Sequence, residues 1–113
     1  MAVYVDNAKN PYGRMLMCHM VADTIGELLD MADKIGLHRR HFQPWSRPHF
    51  DLSQAYRAKA LSHGAIEVNR RELVGAMKRH RLLVSRDPSE HEAYERATAN
   101  STRGKYSQVA SPR

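Results

Sequence analysis

Cysteine, long apolar runs and recognisable enzyme motifs are scarce or missing in this 113-residue chain. Cys18 is the only cysteine, which excludes an internal disulfide and a paired-cysteine zinc site. No apolar run approaches the roughly 20 residues that a membrane-spanning helix needs. The first residues lack the basic start and long apolar stretch of a signal peptide, so we expect a cytoplasmic protein with no membrane partner. Gly13 has no phosphate-loop context, and the chain has no G-x-S-x-G motif.

The remaining composition is typical of one globular domain with a basic surface. Hydrophobic residues make up 42% of the chain and charged residues 27%, with a net charge of +6. Residues 1–86 hold 14 Lys and Arg against 8 Asp and Glu, whereas residues 87–113 hold 4 of each. The basic residues cluster in segments 34–47 and 70–86. Such clusters favour polyanionic partners, although a basic face that only maintains solubility gives the same pattern.

Three segments carry signals for the start and end of a helix. Residues 24–36 open with a capping box, continue with apolar residues at helical spacing and end at a glycine. Residues 51–64 carry a similar combination of cap, apolar residues at helical spacing and closing glycine, and a third capping box begins at Asn69. We therefore predict three main helices.

Short segments rich in apolar, β-branched or aromatic residues lie between these helices. They predict strands at residues 3–5, 15–22, roughly 40–43, and 65–68. The alternation of strand and helix is typical of βαβ units, so the predicted fold class is α/β, with a small, mostly parallel sheet of about four strands. A turn-like segment before the second strand predicts an N-terminal antiparallel hairpin.

The domain boundary is expected near residue 86. Residues 1–86 contain all the confident elements and should form a single α/β domain. Residues 87–99 begin like a helix but offer little for burial, which predicts a marginal helix. Residues 100–113 are almost free of apolar side chains, which predicts a disordered tail.

The predicted topology implies a ligand site at one edge of the sheet. Parallel strands near residues 19, 42 and 66 would start all three helices at the same edge, where open α/β folds bind ligands. Asp23, Thr24 and Asn69 would lie there too. Helix N-termini and guanidinium groups attract anions, so we expect the ligand of this site to carry a phosphate. The predicted ligand-binding residues combine phosphate-binding arginines, a base-stacking tryptophan and a His–Asp pair: Trp45, Arg47, His49, Asp51, Arg70 and Arg71.

One imidazole lies in the middle of the strand at residues 15–22, which is otherwise apolar on both faces. His19 needs a partner there, because a buried polar ring without one loses its hydration uncompensated. The partner is either structural, such as a backbone carbonyl, or part of a site. In the second case His19, His49 and Asp51 predict a divalent metal site. Asp51 as a helix N-cap and His49 as a loop residue explain the same pattern.

Asp6 ends the first predicted strand, a typical position for a metal-binding carboxylate in a nuclease-like α/β fold. The predicted hairpin puts Asp6 at the opposite end of the sheet from His49. We therefore interpret Asp6 as the residue that starts the turn before the second strand.

A set of short motifs is spread over about positions 1–80. They are Ala2-Val3-Tyr4-Val5-Asp6, Gly13-Arg14, Cys18-His19-Met20-Val21-Ala22-Asp23-Thr24, Glu27-Leu28, Met31-Ala32, Ile35-Gly36, Arg39-Arg40, Phe42-Gln43, His49-Phe50-Asp51 and Gly64-Ala65. Together they resemble the family labelled domain of unknown function 4031, whose members are small bacterial and phage proteins. The resemblance implies an intracellular, possibly phage-encoded origin, and it implies no activity. Residues 81–113 lie outside it.

Three functions fit these observations. The first is a small intracellular domain that binds a phosphorylated ligand, either a nucleotide or nucleic acid, at its basic edge. The second is a metal-dependent phosphodiester hydrolase that uses His19, His49 and Asp51. The third is a phage-encoded protein-interaction module that acts on a host protein through its basic face.

Overall fold

The computed structural model describes residues 2–44 and 47–102, which form five strands, four α-helices and a short 3-10 helix. The strands are β1 (Val3–Val5), β2 (Asn10–Tyr12), β3 (Met15–Ala22), β4 (Phe50–Leu52) and β5 (Ile66–Glu67). The helices are α1 (Ile25–Ile35), α2 (Gln54–Ser62), α3 (Arg70–Arg86) and α4 (Pro88–Asn100), with a 3-10 helix at Arg39–His41. The α/β fold class is therefore confirmed, with one strand and one helix more than predicted.

The five strands form one mixed sheet around β3. Strand β3 pairs antiparallel with β1, β2 and β4, and only the β1–β5 pairing is parallel. The antiparallel pairing of the first and second predicted strands is confirmed, but the mostly parallel sheet is wrong. Residues 36–49 form a long connection after α1, and they carry the chain back across the sheet so that β4 enters from the opposite end.

The predicted strand at residues 40–43 is also wrong. Its first half is the 3-10 helix, and Gln43 forms only an isolated bridge with His49. The actual strand is β4, in which Phe50 and Leu52 are buried on one face while Asp51 points to the other. Three residues are too few for an alternating pattern to stand out in a sequence. The predicted strand at residues 65–68 shortens to β5.

Local capping signals located the helices well. Thr24 caps α1, and Gly36 ends it with a φ of 82° that favours glycine. Asn69 opens α3 with a complete capping box. The cap of α2 is Ser53, whose side chain accepts from the Tyr56 N–H, so the assignment of this cap to Asp51 is corrected. No helix in the described part of the chain is long and apolar enough to cross a membrane.

Helix α4 is a full helix of 13 residues rather than a marginal one. It packs against α1 and α3, and Ala97 joins the main core. Ser101 follows the helix and is buried, where its hydroxyl donates to the Phe42 carbonyl. Of the predicted tail, residues 103–113 lie outside the described residues.

The two faces of the sheet are covered unequally. Helices α1, α2 and α4 contribute to the main core on one face, around Met20 and Phe50. Helix α3 packs on the other face, where Leu73 and Ala76 contact Val21. Because β3 side chains alternate between faces, His19 points to the same side as Val21. His19 and its neighbours therefore lie beside α3, outside the main core.

Candidate functional site

Three strands that run in the same direction end together beside the middle of β3. Strand β5 is parallel to β1, and both β1 and β4 are antiparallel to β3, so the carboxyl ends of β1, β4 and β5 meet at one end of the sheet. This topology brings Asp6, which follows β1, next to His19, and it sets Asp51 of β4 directly opposite His19. The hairpin-based placement of Asp6 away from His49 is therefore wrong.

Asp6 holds His19 at two points. Its Oδ1 accepts from the His19 backbone N–H at 2.8 Å, and its Oδ2 contacts His19 Nδ1 at 2.8 Å. Arg57 of α2 fixes the end of β1 by donating to the Asp6 carbonyl at 2.9 Å. Since a carboxylate only accepts hydrogen bonds, Nδ1 carries a proton. The imidazole is thus locked in one orientation by a carboxylate that is 2% exposed.

The Asp6–His19 pair shifts both pKa values toward the charged forms. The side-chain hydrogen bond with Asp6 raises the pKa of His19 above 6.5, and burial opposes this rise only in part. The Asp51 carboxylate adds to the rise, and the Arg70 guanidinium opposes it. Burial would raise the pKa of Asp6, but hydrogen bonds from the His19 ring and backbone outweigh it and lower that pKa. A charged imidazolium is therefore favoured.

His49 and Asp51 extend this pair. His49 Nδ1 donates to the Arg47 carbonyl at 2.8 Å, which turns Nε2 toward Asp51 Oδ1 at 3.5 Å. Gln43 Nε2 donates to the other Asp51 oxygen at 2.6 Å. Burial would raise the pKa of Asp51, yet hydrogen bonds from His49 and Gln43 lower it. We call Asp6, His19, His49 and Asp51 the histidine cluster.

His19 Nε2 is the ring nitrogen of the histidine cluster that makes no hydrogen bond in the described part of the chain. The nearest charged partner of this nitrogen in the described part of the chain is Asp51 Oδ1 at 4.0 Å, which is beyond hydrogen-bond range. The His19 and His49 rings meet edge to face with centroids 5.8 Å apart. The His19 side chain remains 26% exposed.

A cleft of about 430 Å³ opens beside the cluster. Its volume lies within the range of small-molecule sites in proteins, about 300–1,000 Å³. His19 and Asp51 supply the charged part of its wall. The other lining residues are polar or apolar side chains from β2, β3, α2 and the α1–β4 connection: Asn10, Pro11, Tyr12, Met15, Met17, Leu37, His41, Gln43, Ser53 and Tyr56.

The structure brings together only some of the predicted site residues. His19, His49 and Asp51 meet in the cluster, and Arg70 at the start of α3 is near enough to affect the charge of His19. Arg47 contributes its backbone carbonyl to His49. The other predicted residues are apart or undescribed: Arg71 lines a shallow groove on α3 with Arg70 and Lys78, and Trp45 lies outside the described residues.

The predicted meeting of three helix starts needs a correction. Helices α2 and α3 follow β4 and β5, so they begin at the end of the sheet that holds the cluster. Helix α1 follows β3, which runs the opposite way, and therefore begins at the other end. There Asp23 accepts from the Ala2 N–H and the Tyr4 hydroxyl. Asp23 and Thr24 thus belong to a structural contact, away from the cleft.

The distances among His19, His49 and Asp51 can be compared with those of the predicted metal site. Within residues 2–44 and 47–102, no group of three or more His, Cys, Asp or Glu side chains has the arrangement of a metal-binding set. The nitrogens of His19 and His49 both face Asp51 Oδ1, but at 4.0 and 3.5 Å. A metal would need these side chains to move closer together.

Residues 3–80 match the model of the family described as Protein of unknown function (DUF4031). The chain belongs to this family. The matched region contains the whole histidine cluster and ends at His80, so α4 lies beyond it. No curated protein and no solved structure matches the chain. The resemblance found in the sequence is confirmed, and the chemistry of the cleft must be argued from its residues.

Two partners in the site, Asp6 and Gln43, are not among the predicted site residues. The predicted hairpin puts Asp6 at the opposite end of the sheet from His49, which favours its interpretation as a turn residue. Gln43 carried no signal, because an amide has no characteristic spacing from the carboxylate that it contacts. The bridge between Gln43 and His49 brings it there.

Proposed function

We propose that this protein binds a phosphorylated ligand, a nucleotide or a nucleic acid, in the cleft, with His19 Nε2 as the hydrogen-bond donor to phosphate. The observation that carries the proposal is the Nε2 of His19, which has no hydrogen-bond partner within residues 2–44 and 47–102, in an imidazole whose other nitrogen is fixed by Asp6. Once protonated, this nitrogen is a charged donor at the wall of a cleft. Charge-assisted hydrogen bonds to phosphate are among the stronger polar contacts in proteins.

The surroundings of His19 support an anionic ligand. Arg70 lies close enough to contribute positive potential, and it begins a 17-residue helix whose N-terminus carries partial positive charge. The net charge of +6 adds a longer-range attraction for polyanions. Asp51 is the opposing charge, but Gln43 and His49 already engage its oxygens. The anion is therefore expected to contact His19 Nε2 rather than the side of the cleft formed by Asp51.

A His19→Gln variant is expected to bind phosphorylated ligands roughly tenfold to hundredfold more weakly, because it loses a charged hydrogen bond. The probes are inorganic phosphate, AMP and a short single-stranded oligonucleotide, titrated at low and moderate salt. Binding is followed by NMR shifts of the histidine ring protons. His91→Gln is the matched control, because His91 lies on α4 with a side chain that is 53% exposed.

Oligonucleotide affinity is expected to fall steeply as salt rises, because cations are released from the nucleic acid on binding. Affinity for every probe should also fall as the pH rises through the raised pKa of His19. The proposal is wrong if the wild-type protein binds none of the three probes at low salt. It is also wrong if His19→Gln and His91→Gln bind them equally well.

The second candidate is a metal-dependent phosphodiester hydrolase, and one observation favours it. Each histidine of the cluster uses its Nδ1 for an oxygen acceptor, Asp6 or the Arg47 carbonyl, which is how metal-binding histidines are usually oriented. Their Nε2 atoms both face Asp51 Oδ1. Small side-chain movements would turn this convergence into a ligand set.

Calorimetry with Zn²⁺, Mn²⁺ and Mg²⁺ tests this candidate. A metal site predicts saturable binding of one ion by the wild-type protein and at least a tenfold loss in both His49→Gln and Asp51→Asn. Asp33→Asn, a change at an exposed carboxylate, should leave binding unchanged. Absence of binding for all three ions would remove the hydrolase in this form.

A further inference from the structure

We propose that the cleft holds a nucleobase against Tyr12, so that its ligand is a nucleotide unit rather than inorganic phosphate or a sugar phosphate. The inference rests on the proposed function, because it assumes that His19 binds the phosphate of the same ligand. The observation behind it is the exposed aromatic ring of Tyr12 on strand β2. Tyr12 is 61% exposed, although it lines the cleft.

The placement of Tyr12 follows from the strand register. Tyr12 of β2 pairs directly with Met15 of β3, and directly opposed side chains in a sheet point to the same face. Met15, Met17 and His19 alternate with the residues between them, so they share that face too. One continuous strip of the sheet therefore runs from Tyr12 and Met15 at its apolar end to His19 at its charged end.

The length and chemistry of this strip suit a nucleotide. His19 lies four positions after Met15 in β3, about 13 Å away at the rise of a strand. A base, sugar and phosphate together bridge such a strip, whereas a phosphate ion contacts only its charged end. Aromatic rings stack on any base, since every base has a π-face. Pro11, Met17 and Tyr56 add apolar wall beside the proposed base.

The hairpin around Tyr12 carries exposed apolar side chains. Tyr12 and Met15 share the face of His19 and are 61% and 45% exposed, whereas Leu16 points to the opposite face. Apolar side chains that line a cleft are typical of ligand sites. Lys9 and Arg14 flank them as exposed cations, which complements the charge of a phosphate chain. The hairpin thus combines the stacking and charge contacts that bind single-stranded nucleic acid.

The test compares ligands that differ in one part. AMP is expected to bind wild-type protein at least roughly tenfold more tightly than ribose 5-phosphate, because only AMP offers a base for stacking. Tyr12→Ala should remove most of that difference, and Tyr12→Phe should retain it. Leu82→Ala is the control, since Leu82 is a similarly exposed apolar residue on α3, 49% exposed. Melting curves verify that each variant is folded.

The outcomes separate this inference from the proposed function. Equal binding of AMP and ribose 5-phosphate, with no effect of Tyr12→Ala, overturns base stacking and leaves phosphate binding intact. Binding of adenosine as tightly as AMP, with no effect of His19→Gln, supports the base site and overturns the phosphate contact. Failure of every ligand to bind overturns both.

The source of the nucleotide unit is decided by a further comparison. A single-stranded oligonucleotide that binds more tightly than AMP, and loses affinity in Arg14→Ala, indicates that the unit belongs to a strand. Equal affinity of AMP and the oligonucleotide, with no effect of Arg14→Ala, indicates a free nucleotide. Either result agrees with a base on Tyr12, provided that Tyr12→Ala weakens binding.

Discussion

Glu90→Ala is expected to lower the free energy of unfolding by about 2–5 kcal/mol, because it leaves two buried hydrogen-bonding groups without their acceptor at about 1–3 kcal/mol each. Glu90 lies on α4 and is 8% exposed, yet one of its oxygens serves two partners. It contacts His80 Nε2 of α3 at 2.5 Å and accepts from the Ile25 N–H at 2.6 Å. The variant would leave His80, itself 2% exposed, and the first turn of α1 without this acceptor.

Urea denaturation of the wild type and three variants measures this effect. Glu92→Ala is the matched control, because Glu92 lies on the same helix with a side chain that is 74% exposed and an ion pair to Arg96. The expected change in the free energy of unfolding of Glu92→Ala is within about 0.5 kcal/mol. Glu90→Gln should fall between the two, since the amide oxygen can still accept from Ile25. Equal midpoints for Glu90→Ala and Glu92→Ala would contradict a stabilising role for the buried pair.

The same pair links α4 to the family region. Glu90 lies beyond residue 80, where the family match ends, but both of its partners lie within the match. A chain cut after Arg86 would therefore lose as much stability as Glu90→Ala, or more. The low apolar content of residues 87–99 does not predict this contribution to stability, because the Glu90 carboxylate is what links α4 to α1 and α3.

Features governed by local chemistry could be predicted from the sequence. The cap at Thr24, the glycine stop at Gly36 and the capping box at Asn69 depend on residues within one turn of helix, so they can be recognised without the rest of the fold. The long strand β3 was also predicted with its observed bounds, because eight consecutive residues gave a clear apolar pattern.

The direction of β4 could not be predicted, and the site depended on it. A helix between two strands usually indicates a parallel crossover, but the connection of residues 36–49 is long enough to reverse the chain. An antiparallel β4 brings Asp51 opposite His19 and His49 close to both. The register of β1 on β3 separately places Asp6 beside His19. Asp6 and His49 therefore meet at His19, although the predicted parallel sheet separated them.

Asp6→Asn is expected to destabilise the protein by roughly 1.5–3 kcal/mol near pH 6, the range for hydrogen bonds to a charged group. The carboxylate is buried and holds both the backbone and the ring of His19. An amide keeps one acceptor for the backbone N–H, but it cannot stabilise a charged imidazolium through Coulomb attraction. The pKa of His19 should therefore fall in the variant, which NMR titration of its ring protons measures directly.

The pH dependence of the stability loss in Asp6→Asn tests the Asp6–His19 pair more sharply than the size of that loss does. Because folding raises the pKa of His19 above 6.5, its stabilisation is complete below pH 6.5 and is lost as the pH rises through the folded-state value. Folding lowers the pKa of Asp6 below 3.8, so its stabilisation is present above pH 3.8 and is lost as the pH falls through the folded-state value. The Asp6–His19 pair therefore contributes most between these two limits.

The stability difference between wild type and Asp6→Asn should accordingly be largest near pH 6 and shrink as the pH rises through the folded-state pKa of His19. Asp33→Asn is the control, because Asp33 is an exposed carboxylate bonded to Arg39 and distant in sequence from the cluster. A loss that stays constant from about pH 5 to about pH 9 would mean that Asp6 acts only as a neutral acceptor. His19 would then have no raised pKa, and its protonated Nε2 would no longer support phosphate binding near neutral pH.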